Sequence, residues 1–120
     1  IYPKVTRQFL QKRVFFELAS ELVLNNPSWS KDFRKFKQNF ITNPAMYSML
    51  KKIAHSKEIK FKSSEIINDK SYLDNRIKAE IARNIWGMSR YYVVILEFDN
   101  QFQTALNYFD QALELASLNR

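Results

Sequence analysis

The sequence predicts an all-α fold, an orthogonal bundle of about five helices, on three observations. Its composition is globular, its apolar residues recur at helical spacing, and residues that make tight turns are scarce. Among 120 residues the apolar share is 46% and charged residues make up 26%, which suits one domain with a sizeable core. One Gly and three Pro leave little material for β-hairpins, so helices joined by short loops are favoured.

The first helix is expected from Thr6, as N-cap, to about Leu24, where Asn25, Asn26 and Pro27 stop it. Its apolar residues, among them Phe9, Phe16 and Val23, cover more than half of the circumference at 100° per residue, so it should be covered on more than one side. Residues 28–42 space Trp29, Phe33, Phe36 and Phe40 by 4, 3 and 4, a short amphipathic helix with Lys31, Arg34, Lys35 and Lys37 on its outer face. Asn43 followed by Pro44 reads as an N-cap with Pro at the first helical position, opening a helix to about Ser56. The alternation in residues 58–62 suggests an extended linker. Ser63 or Ser64 then caps a long helix with Ile66, Leu73, Ile77, Ile81 and Ile85 on one face and Ala79 and Ala82 on another, ending at Trp86 with Gly87 beyond it.

Local propensity in residues 91–98, rich in Val and Ile, points to a strand. A lone strand would leave its backbone groups without partners, so a short buried helix is expected instead. Asp99 should cap a last helix with the stripe Phe102, Ala105, Leu106, Phe109, Leu113 and Ala116.

Charge is uneven. The chain carries +7 overall, and residues 1–62 hold 13 Lys/Arg against 4 Asp/Glu, whereas residues 63–120 hold 6 against 8. Such asymmetry permits an anionic partner. The spacing of residues 29–40 nevertheless puts rings and lysines on opposite faces, where a nucleic-acid site needs them on one, so no nucleic acid is expected.

Few constellations carry chemistry. There is no Cys, hence no thiolate ligand, disulfide or thiol nucleophile. His55 is the only histidine and has only Glu58 at helical spacing, which is too little for a metal. The carboxylates are scattered along helix faces, and the single Gly rules out a phosphate loop. No catalytic residue, cofactor or metal is expected, and no apolar run approaches the roughly 20 residues of a membrane span. Starting without Met, the chain is expected to be a piece of a longer protein.

Two resemblances stand out. Residues 105–115, Ala-Leu-Asn-Tyr-Phe-Asp-Gln-Ala-Leu-Glu-Leu, resemble the second helix of a tetratricopeptide repeat, although no period of about 34 residues accompanies them. A longer one covers Arg76-Ile-Lys-Ala-Glu-Ile-Ala-Arg-Asn-Ile-Trp-Gly-Met88, Tyr92-Val-Val-Ile-Leu-Glu-Phe-Asp99 and Gln103-Thr-Ala-Leu106. It resembles the end of the carboxy-terminal processing (tail-specific) peptidases, especially the long bacterial type with a helical domain after the protease core. Ser89, Arg90 and Tyr91 stand where that family often carries small residues. The resemblance implies a parent with a serine nucleophile, a lysine base and a PDZ module, all upstream, working in the bacterial cell envelope on the periplasmic side. The present segment would be its non-catalytic C-terminal domain, supporting or gating the core. A helical protein-interaction scaffold is the alternative, and a basic nucleic-acid-binding module the second.

The partners expected are the upstream protease core and a second copy in a homodimer. The wide face of the first helix and the large aromatics amount to more apolar surface than a small bundle hides. Phe9, Phe16, Val23, Trp29, Trp86 and Tyr91 are therefore the candidate interface residues.

Overall fold

The computed structural model describes residues 3–118, apart from the side chains of Phe102, Ala105, Leu106, Phe109, Ser117 and Leu118. Every regular element among them is helical: α1 (Lys4–Gln11), α2 (Val14–Asn25), a 3₁₀ turn (Pro27–Lys31), α3 (Phe33–Asn39), α4 (Pro44–Ser56), α5 (Ser63–Asn68), α6 (Lys70–Trp86) and α7 (Met88–Leu118). The all-α bundle is as expected. The helices exceed five because predicted helices are broken at joints that periodicity does not mark.

The first break resolves the over-wide apolar face. Arg13 adopts φ 60°, and the bend there lets α1 bury Val5 and Phe9 while α2 buries Val14, Phe15, Leu18 and Leu22. A straight helix would leave part of that surface wet. Thr6 is accordingly not an N-cap: it is buried inside α1, its hydroxyl donating to Asp69 Oδ2 at 3.4 Å. Lys12 and Lys57 clamp the joint to the end of α4, each ammonium donating to the other's carbonyl at 2.9 and 2.6 Å.

The amphipathic segment after Pro27 divides likewise at Asp32, whose carboxylate takes the Lys35 N–H at 3.1 Å and caps α3. Its rings form a second apolar cluster: Trp29 lies edge-on to Phe36 and Phe40 at 5.7 and 5.6 Å, and Trp86 meets Phe33 and Phe36 at 5.1 and 5.5 Å. Such pairs are each worth about 0.5–1.5 kcal/mol beyond area burial. For α4 the expected start holds, Asn43 Oδ1 accepting from the Met46 N–H at 2.9 Å with Pro44 first in the helix.

The helix expected from Ser63 is capped one residue earlier, Glu65 accepting the Lys62 N–H at 2.9 Å, and it breaks at Asp69. Beyond the break α6 is the central element. Leu73, Ile77, Ile81, Ala79 and Ala82 are all buried, and the two alanines let neighbours approach closely. Gly87, at φ 95°, turns the chain directly into α7. Residues 91–98 are helical, as expected, but Asp99 caps nothing: α7 runs through it for 31 residues, since no Gly or Pro follows Gly87 to stop it. The expected stripe of the last helix falls mainly on Phe102, Ala105, Leu106 and Phe109, whose side chains lie outside the described residues. Among the described residues no helix is long and apolar enough to cross a membrane.

Candidate functional site

The six aromatic and apolar residues singled out by sequence fall into different environments. Phe9 is fully buried, edge-on to Phe15 at 5.9 Å and Phe61 at 5.7 Å, so it belongs to the core. Tyr91 is also buried. The bend at Arg13 and the packing of α7 on α6 explain both corrections. Val23, Trp29 and Trp86 are half-buried against the core. Phe16 alone is exposed, with 40% of its surface free.

Three of the six nonetheless converge. Phe9, Phe16 and Tyr91 line one groove of about 310 Å³ between the α1–α2 joint, α6 and the start of α7, together with Met88, Arg13 and Arg76. Arg13 lays its guanidinium 4.3 Å above the Phe16 ring, and Arg76 lies 5.0 Å above Tyr91, both within cation–π range. Arg83 reaches Glu80 at 3.7 Å on the same wall, and the Glu80 carboxylate is nearly buried. Arg13 is thus held at a positive φ at the rim of a concave surface, the kind of strained non-glycine position that clusters at functional sites. Rings with arginines stacked on them are also the residue types that dominate binding energy at interfaces. Nothing in a single sequence marks Arg13, because arginine is no turn former. Arg76 and Arg83 were legible only as helix-face cations.

A polar knot lies elsewhere. The Asp74 carboxylate accepts from Thr42 Oγ1 at 2.7 Å, from Lys70 Nζ at 2.8 Å and from the Tyr47 hydroxyl. Burial, and then the adjacent Asp74, push the Tyr47 phenol well above its ordinary range. This cluster ties the entry of α4 to α6. His55 is exposed in the last turn of α4, stacked on Phe61 at 4.8 Å. Among the described residues no group of three or more His, Cys, Asp or Glu is gathered to hold a metal.

Comparison with known proteins adds one finding. Residues 5–87 match a family described as a family of unknown function, DUF8443. The chain belongs to that family. The DUF8443 match starts within α1 and stops at Gly87, so it takes in α2 to α6 and three walls of the groove, the fourth being the start of α7. No curated protein matches the chain, and no solved structure does.

Proposed function

We propose that this chain is a non-catalytic docking domain at the C-terminal end of a serine peptidase of the carboxy-terminal processing type. In this reading it supports or gates the protease core, or a second subunit, through the Arg13–Phe16–Tyr91 groove. The observation that carries the docking role is the pair of exposed apolar side chains Phe16 and Met88 on one groove, backed by the buried Phe9 and Tyr91 and edged by three arginines. A groove of this make-up suits a segment with an apolar anchor and a carboxylate beside it, since Arg forks match carboxylates and ring faces take apolar groups.

The link to a peptidase rests on the resemblance over residues 76–106. On the same resemblance the working compartment is the bacterial cell envelope, on the periplasmic side. A tetratricopeptide-like scaffold is the weaker reading. Stacked repeats touch only their sequence neighbours, whereas here α2 packs on α6, Ser20 accepting from Asn84 at 3.3 Å across 64 positions.

The test is calorimetric titration of the chain against the peptidase core encoded upstream of it in the same reading frame. Binding is expected, and Arg13→Glu or Phe16→Ala should weaken it at least tenfold. A reading frame without a serine and lysine peptidase core, or a core that does not bind, defeats the reading.

A further inference from the structure

One cation is left over in the pocket of about 420 Å³ that opens between α6, α7 and the chain leading from α3 to α4. Four charged side chains line it: Lys70, Asp74 and Lys78 from α6 and Glu97 from α7. Both acids are already matched. Asp74 holds Lys70 at 2.8 Å and also accepts from Thr42 and the Tyr47 hydroxyl, while Glu97 holds Lys37, reaching in from α3, at 2.5 Å. Lys78 makes no hydrogen bond or ion pair with any other described residue. The charges around the pocket therefore cancel in pairs, except for that of Lys78.

Lys78 is half-buried midway along α6, so its ammonium gives up part of its hydration without a carboxylate of its own. Burial lowers its pKa, Glu97 opposes that, and Lys37 adds to it. Of the other titratable groups at the pocket, Lys70 and Asp74 form a bonded pair, and the Tyr47 phenol, raised well above its ordinary range, stays neutral. A neutral amine at Lys78 thus leaves the pocket with balanced charge. A lysine that is short of hydration and near a second cation is the kind that acts as a nucleophile close to neutral pH. Ile41, Val94 and Phe98 supply an apolar wall in the same pocket, whose volume falls in the range of small-molecule sites.

We propose that Lys78 is a covalent modification site, taking an uncharged aldehyde with an apolar chain into this pocket as a Schiff base. The amine nitrogen attacks the carbonyl carbon, C=N replaces C=O, and the oxygen leaves as water with both amine protons, so neither oxidant nor reductant is required. An uncharged electrophile suits a lining with two carboxylates as well as two lysines, where an anionic ligand would meet repulsion from both acids. The site goes beyond the docking role, and none of its lining residues belongs to the docking groove.

The test is competitive reductive alkylation of the 120-residue chain with hexanal and cyanoborohydride, each lysine's rate being read by peptide mass spectrometry. At pH 7 Lys78 should react about tenfold faster than the exposed Lys31, Lys35 and Lys60, and the advantage should shrink towards about pH 10, where those amines lose their protons too. With formaldehyde, which has no chain for the apolar wall, the advantage should be markedly smaller. Lys37→Met frees Glu97 to pair with Lys78 and should slow its alkylation at pH 7 about fivefold. Glu97→Gln removes the carboxylate that favours the ammonium and should speed it. Circular dichroism checks that both variants fold. Alkylation of Lys78 no faster than that of the exposed lysines, an equal advantage with formaldehyde, or a rate indifferent to Lys37→Met in the folded chain would each overturn the proposal.

Discussion

Gly87 joins the two longest helices at φ 95° and ψ −176°, a region of backbone space essentially reserved to glycine. Nothing lies within 4 Å of the place a Cβ would take, so Gly87→Ala meets strain and no clash. It should cost about 1–3 kcal/mol, read as a lower urea midpoint at unchanged slope. Arg13 is the converse case, a bulky residue held at φ 60°. Arg13→Gly should raise stability by about 1 kcal/mol, since the left-handed conformation costs an L-residue about that much, while weakening the docking of a partner. Of these two joints only Gly87 was legible beforehand: glycine after a periodic run is a recognised stop, whereas arginine in a left-handed conformation leaves no compositional trace. The interface candidates divide for the same reason. Ring size and helical spacing marked Phe16, Trp29 and Trp86 as large apolar groups, but the bend at Arg13 decided that Phe9 points inward, and that bend is a tertiary outcome.

At the scale of elements, the start of α4 was readable because its signal is local. Asn43 and Pro44 satisfy and forgo, respectively, the free N–H groups of a first turn. Asn43→Ala should therefore lose the bond to Met46 and about 0.5–2 kcal/mol, measurable by thermal melting. The bond between α4 and α6 through Tyr47 and Asp74 was not readable, because it joins residues 27 positions apart. It has a pH signature. The phenol's pKa in the folded chain is raised above its unfolded value of 10.0, so between the two the unfolded state binds fewer protons and stability falls as pH rises. Stability should be flat in this respect below about pH 9 and decline above pH 10. Tyr47→Phe should remove that share of the decline. Denaturant midpoints for the two proteins between pH 8 and 11 provide the measurement, and parallel curves would show that Tyr47 is not the group responsible.

For the whole molecule the principal question is how much of α7 the fold requires. The structure extends 56 × 36 × 23 Å with a radius of gyration of 16.7 Å, against about 14 Å for a compact chain of this length. The excess follows from the free length of α7. The last buried apolar residue among those described is Val94, with Ile95 and Phe98 half-buried after it. Beyond Gln101 the described side chains are all exposed. An isolated helix of that length is marginal in water, so it draws its order from continuity with the base of α7 or from a covering partner. Removing residues 102–120 should accordingly leave the unfolding free energy from urea titration within the change typical of surface substitutions, about 0.5 kcal/mol. The 222 nm signal should fall by about the share of helical residues removed.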